Sequence, residues 1–294
     1  MRWLILPVLF AVFATAAPAE DGMPGPFSAE ADARAEVAAA FAAAETNGHR
    51  VILVFGANWC HDSIGLADHF AQDDMTAILA ENYELVWIDV GWRDRNLDLA
   101  REYGAWTLYG TPTVLIVDPE LGLVNSATMH SWHWAYSREH DDVVRYFRQM
   151  AFAVPGGGVV ENSATYSGLV AEIEAWEARE GARLTHAYTT LQAWRATLDW
   201  AFDAAGNDEE ATRLVELYHS VEADIDQHRG RMREDRTELY IQARDRVRDA
   251  LFELGSDLTP QLAAELDANA PDIALDFPDY GTVLFPWEDE GWAL

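Results

Sequence analysis

The chain reads as an α/β domain with a central mixed sheet flanked by helices, followed by an all-α domain. Two observations point there. Three short apolar runs (51–55, 85–90 and 113–117) alternate with helix-forming segments, as in a sheet buried on both faces. Beyond Pro155-Gly156-Gly157-Gly158 such runs largely disappear and helical periodicity takes over. The expected boundaries are 28–154 for the α/β domain, 155–160 for a Gly-rich linker, 161–270 for the helical domain and 271–294 for an acidic aromatic tail.

Residues 31–44 are Ala-rich with Glu and Arg interspersed, a strong helix former. Residues 51–55 (VILVF) form a central strand ended by Gly56. A helical stretch runs from Cys60 to about Leu79, and residues 85–90 give a second buried strand. A short helix over 96–103 stops at Gly104. Residues 113–117 are the third strand, 123–128 a candidate edge strand and 141–152 a closing helix. Past the linker, helices are expected at 166–179, 183–204, 208–230 and 232–254, with Leu214, Leu217, Val221 and Ile225 on one face. The tail carries Phe277, Tyr280, Phe285, Trp287 and Trp292, rings expected to pack back onto the body.

With 50 acidic against 20 basic residues the formal charge is −30, and every basic residue is Arg. Nucleic acid is therefore not an expected partner, because phosphate neutralisation needs a net basic surface. Anionic membrane surfaces are disfavoured likewise. The local cluster Arg229, Arg231, Arg233, Arg236, Arg244, Arg246 and Arg248 is interleaved with Glu234, Asp235, Glu238 and Asp245, and reads as a solvated, ion-paired face. Met1-Arg2, an apolar run over 3–16 and Ala17-Pro18-Ala19 form the pattern of a cleaved export signal over 1–19, which implies a periplasmic or secreted protein. That run is shorter than the ~20 residues of a membrane span, so no membrane insertion is expected after cleavage. The single Cys60 excludes an intramolecular disulfide and any multi-Cys metal site. No dinucleotide or P-loop fingerprint is present, and no cofactor is expected.

Chemistry concentrates at Phe55-Gly56-Ala57-Asn58-Trp59-Cys60-His61-Asp62-Ser63, where a buried strand delivers a Cys to the start of a helix. A thiolate there faces unpaired N–H groups and the positive end of the helix dipole, which favours it. A protonated His61 would favour it further and Asp62 would oppose it. Fifty residues on, Thr111-Pro112 immediately precedes a strand.

These two motifs resemble the thioredoxin fold superfamily over roughly residues 30–152, most closely the secreted thioredoxin-like domains of bacteria. The resemblance implies that Trp59-Cys60-x-x-Ser63 is the active-site element. It also implies that Thr111-Pro112 is the cis-proline loop that receives extended peptides. Two departures matter. Ser63 stands where a resolving Cys would be, and Val54 where the family keeps a buried acid. A self-contained dithiol cycle is thus excluded, because a serine hydroxyl cannot release a mixed disulfide. Monothiol exchange or mixed-disulfide capture of client protein or peptide thiols remains, with Cys60 as nucleophile, His61 tuning it, and Ser63 hydrogen-bonding the thiolate. Trp59, Thr111 and Pro112 would hold the substrate, and an external low-molecular-weight thiol could complete the cycle. The alternative is a non-catalytic module that binds peptides or proteins on the same scaffold. The helical domain would serve client or partner contacts, or form a homodimer.

Weaker candidates follow the fourth strand. Met129, His130, His133 and His140 with Cys60 suggest a copper or zinc site, but the spacing fits exposed or capping histidines better, and no metal is expected. Trp92, Trp106, Tyr109, Trp132 and Trp134 could line a groove beside Cys60, or pack in the core.

Overall fold

The computed structural model describes residues 25–153 and 157–281. The expected export signal lies outside them. The α/β domain is a four-stranded sheet in the order β2-β1-β3-β4, formed by β1 (Arg50–Gly56), β2 (Tyr83–Asp89), β3 (Thr113–Asp118) and β4 (Gly122–Leu123). The pair β1–β2 is parallel, and β3 runs antiparallel to both β1 and β4. Every residue of β1 is buried. Strand alternation sends Val51, Leu53 and Phe55 to one face with α1 (Ala33–Asn47), and Ile52 and Val54 to the other. That second face packs on α2 (His61–Phe70), α3 (Asp73–Asn82) and α5 (His140–Met150) through Leu66, Phe70, Met75 and Phe147. At the start of β1, Arg50 pairs with Asp118 at 3.0 Å and donates to the carbonyls of Met150 and Ala153, closing the C-terminus of α5.

The expected edge strand at 123–128 shrinks to a two-residue β4. The reason is Asn125, a buried residue whose side-chain amide replaces a strand. Its Oδ1 accepts the Ile116 N–H and its Nδ2 donates to the Val114 carbonyl, both at 2.8 Å. Val124 N–H serves the Ile116 carbonyl and Val114 N–H reaches Met129 O, so the edge of β3 is satisfied without a further ladder. The single helical stretch expected after Cys60 is two helices, broken near Ala71 and Gln72. A 3-10 segment, Ser131–Ser137, then covers α2. Gly65 permits this approach, since a Cβ there would stand 2.5 Å from Tyr136 Cα.

The helical region is α6 (Ala164–Thr197), α7 (Asp199–Ala204), α8 (Glu209–Leu254) and α9 (Pro260–Asn269), with a short α4 (Leu97–Glu102) in the first domain. The breaks expected at 180–182 and 231 are absent. A lone glycine costs about 1 kcal/mol in a helix, too little to end one whose neighbours are packed. Gly181 has a different role: its bare Cα lets α6 lie against the loop 105–112, where a Cβ would meet Thr107 Cβ at 3.0 Å and the Trp106 carbonyl at 3.1 Å. The helices α6 and α8 form an antiparallel hairpin, with Leu184–Trp194 against Tyr218–Met232 at one end and Leu169–Trp176 against Leu239–Leu251 at the other.

The Arg-rich stretch is only partly a solvated face. Arg236 is buried, and its Nε donates to Glu177 Oε1 at 2.8 Å. Tyr109 of the first domain donates its hydroxyl to the same oxygen at 2.8 Å. Burial raises the Glu177 carboxyl above the ordinary carboxylate range, a shift opposed by Arg236 and Tyr109. From the tail, Phe277 and Tyr280 pack on Trp176 at 6.4 and 6.1 Å, while Phe285, Trp287 and Trp292 lie outside the described residues.

His130 sits against this junction, edge-on to Tyr109 at 4.9 Å, with Nδ1 3.4 Å from the Thr113 hydroxyl. Thr113 spends its own proton on the Gly110 carbonyl, so Nδ1 of His130 is the donor in that contact. Burial is the main cause that holds His130 well below the usual imidazole range, and it lowers His69 as well.

Two outcomes follow. Replacing Glu177 with Leu strands the Arg236 charge and should cost about 3–5 kcal/mol in chemical denaturation, whereas adding Arg236→Met should restore much of the loss; equal losses would refute the pair as the cause. Because the unfolded chain protonates His130 and His69 near pH 6.5 while the folded chain does not, stability should fall as pH drops from 6.5 towards 5. His130→Gln should flatten that fall in melting curves taken across this window, and an unchanged slope would exclude His130 as the source.

Candidate functional site

Cys60 is the N-cap of α2, half-buried, with its Sγ 3.2 Å from the Thr111 carbonyl. The Thr111–Pro112 peptide is cis and both residues are buried. The loop that presents Cys60 is pinned by a contact local sequence patterns do not reveal. Asn58 accepts the Phe27 N–H at 3.1 Å and donates to the Phe27 carbonyl at 2.7 Å. Phe27 is buried beneath the end of β1, where Gly56 leaves room for it: a Cβ at Gly56 would stand 2.6 Å from both Phe27 Cζ and Ser63 Oγ.

Ser63 does not serve the thiol as expected. It is fully buried, and its hydroxyl accepts the Ala57 N–H at 3.4 Å instead of turning towards Cys60. His61 is exposed and lies on the Tyr136 ring with centroids 3.5 Å apart. Asp62 accepts the Tyr136 N–H at 3.1 Å. The 3-10 segment therefore occupies both residues that follow Cys60.

Trp59 forms the opposite wall. Its indole N–H donates to the Gly91 carbonyl at 2.8 Å, and its ring stacks on Trp92 at 4.9 Å with planes 4° apart. Among Trp92, Trp106, Tyr109, Trp132 and Trp134, Trp92 is the ring stacked on Trp59, and it is half exposed. Trp132 is entirely buried in the core beside Phe147, and Tyr109 is buried beneath the helical hairpin. Trp134 is exposed and lies tilted against His133, with ring centres 5.3 Å apart, whereas the Trp106 carbonyl faces the bare Cα of Gly181 on α6.

Local sequence patterns also gave no sign of Arg93. Its guanidinium stands 4.9 Å from the centre of the Trp59 ring and 5.5 Å from that of Tyr188 on α6. Tyr188 donates to Asp226 at 2.6 Å and accepts from Arg229 at 2.9 Å. The helical domain thus contributes to the rim of the Cys60 site.

The histidines do not converge with Cys60. His130 is buried, not exposed; it stands at the N-cap of the 3-10 segment without a side-chain capping bond, because its ring fills the space between Thr113 and Tyr109. His133 bonds the His130 carbonyl through Nδ1 at 2.7 Å, and His140 engages His69 and Asp74 at 3.0 and 2.8 Å. Among the described residues, no three His, Cys, Asp or Glu side chains are grouped to hold a metal ion.

A family model described as thioredoxin-like matches residues 32–119. A solved structure described as a disulphide isomerase from Xylella fastidiosa Temecula1 is 32% identical, with 42% of this chain and 95% of that one covered and a TM-score of 0.41. No curated protein matches the chain. The thioredoxin-like match thus falls within the N-terminal α/β domain and spans less than half of the chain.

Proposed function

We propose that this is an exported monothiol protein of the superfamily, in which Cys60 exchanges with client disulfides or holds client thiols as mixed disulfides. The observation that carries the reading is the position of Sγ: at the start of α2, partly open to solvent, and 3.2 Å from the carbonyl that precedes cis Pro112. A substrate strand laid along Thr111 and Pro112 would bring its sulfur to that atom. In exchange, the Cys60 thiolate attacks one sulfur of a disulfide, a new S–S bond forms, and the other sulfur leaves as a thiolate. Ser63 cannot reverse this step, so an outside thiol must attack the mixed disulfide and restore Cys60. The sequence pattern of an export signal over 1–19 supports placing this chemistry in the periplasm or outside the cell, where clients carry disulfides. Among the described residues no helix is long and apolar enough to cross a membrane.

A second reading has its own observation. The Ser63 hydroxyl accepts the Ala57 N–H while the Trp92 face of the Trp59–Trp92 stack stands exposed, which suits a module that binds without bond exchange. Alkylation of Cys60 by iodoacetamide at pH 7 separates the two. A rate at least tenfold above that of free cysteine supports exchange, and a rate at or below it supports binding alone. Cys60→Ser should lose all covalent capture of client peptides while keeping its far-UV spectrum; capture that persists would overturn the exchange reading, since the chain has no other thiol. Ser63→Cys should form an intramolecular disulfide with Cys60 under mild oxidant, counted as the loss of both titratable thiols. Two thiols that stay free would show that the buried position at 63 cannot turn towards Sγ.

A further inference from the structure

Arg93 is held in a position that nothing so far explains. The loop after β2 folds tightly around the Val90 carbonyl, which accepts the N–H groups of Arg93, Asp94 and Arg95 at 2.9, 3.1 and 3.2 Å. This turn places Arg93 in the left-handed region, at φ 68, which non-glycine residues rarely adopt. The side chain is directed between the faces of Trp59 and Tyr188. Its Nε is shut off from solvent and has no hydrogen-bond partner. No carboxylate among the described residues pairs with its guanidinium, in a chain with 50 acidic residues from which to draw. Its charged neighbour Arg229 repels it, and the nearby Asp226 is already shared by Tyr188 and Arg229. A desolvated cation without a counterion is costly. Two aromatic faces offset part of that cost, but neither accepts a guanidinium N–H in its plane.

We propose that Arg93, flanked by Arg229 and the Tyr188 hydroxyl, is an anion subsite of the Cys60 centre that selects thiols and disulfides carrying a carboxylate close to the sulfur. The proposal rests on the reading of Cys60 as a nucleophile. The carboxylate of the incoming disulfide pairs with the Arg93 fork, its apolar part lies against the exposed Trp92 ring, and its sulfur meets Sγ. Exchange then proceeds as above: the Cys60 proton goes to water, one S–S bond forms as another breaks, and the leaving sulfur departs as a thiolate. No external oxidant or reductant enters the step.

Two disulfide reagents of opposite character test this on the full chain: 5,5′-dithiobis(2-nitrobenzoate), a dianion, and 4,4′-dithiodipyridine, which is neutral. Arg93→Met should slow the first by about tenfold, in line with electrostatic focusing by one local charge, and change the second by less than about twofold. Arg93→Lys should recover much of the loss with the dianion, and added salt should narrow the difference between reagents in the unaltered chain. The neutral reagent also reports whether the variant keeps a folded, accessible Cys60. Equal slowing of both reagents, or of neither, would overturn the subsite. If Cys60 of the unaltered chain reacts with neither reagent, the exchange reading fails instead. The subsite is then decided by titrating 4-nitrobenzoate against the Trp59 indole N–H resonance. Saturable shifts lost in Arg93→Met would uphold it, and their absence would overturn it.

Discussion

The buried carboxylate of Glu177 is the point on which the two halves of the molecule depend. It accepts Tyr109 from the α/β domain and Arg236 from α8, so one oxygen joins three elements far apart in the chain. Four residues on, Gly181 removes the side chain that would keep α6 off Thr107 and Trp106. Seven residues beyond that, two helical turns along the same face, comes Tyr188. The docking of α6 at its midpoint therefore determines where Tyr188 lands, and it lands on Arg93 beside Trp59. Arg101 adds a second tie, donating to Thr185 at 2.7 Å between these positions. A helix seated by a buried charge and a missing Cβ has little freedom to slide. The rim of the Cys60 site inherits that rigidity.

What could be read from the sequence was whatever is encoded locally. The strands at β1, β2 and β3 announced themselves because burial on both faces demands unbroken apolar runs. The meeting of Cys60 with Thr111 and Pro112 follows a local pattern, because the Cys begins a helix directly after one strand and the Pro directly precedes another. The edge strand was misjudged because one side chain, Asn125, supplies hydrogen bonds that a sequence pattern assigns to backbone. The helix breaks were misjudged because Gly181 and Gly230 look alike in sequence. Yet one faces a neighbouring backbone and the other open space. Ser63 was expected to turn to the thiol, but the cavity under Gly56 takes its hydroxyl instead. The bonds of Phe27 to Asn58 and the seat of Arg93 on Tyr188 join residues 31 and 95 positions apart, and no local pattern encodes such a meeting.

The net charge of the whole chain and the charge of the Arg93 guanidinium beside Trp59 are opposite in sign, and screening explains why both can matter. At physiological ionic strength the Debye length is about 8 Å, so most of the −30 acts on solubility and on neighbouring molecules. It has little hold on an atom inside the cleft. Near Cys60 the local groups matter more: the N-terminus of α2, the Arg93 guanidinium against Trp59, and the Asp62 carboxylate, which accepts the Tyr136 N–H. An acidic protein repels anionic substrates at long range and can still receive them at short range if one cation is kept unpaired. Keeping it unpaired takes structure, because a flexible Arg on an acidic surface would find a carboxylate. Here the left-handed turn at Arg93 and the paired aromatic faces hold it where no carboxylate of the described residues forms an ion pair with it.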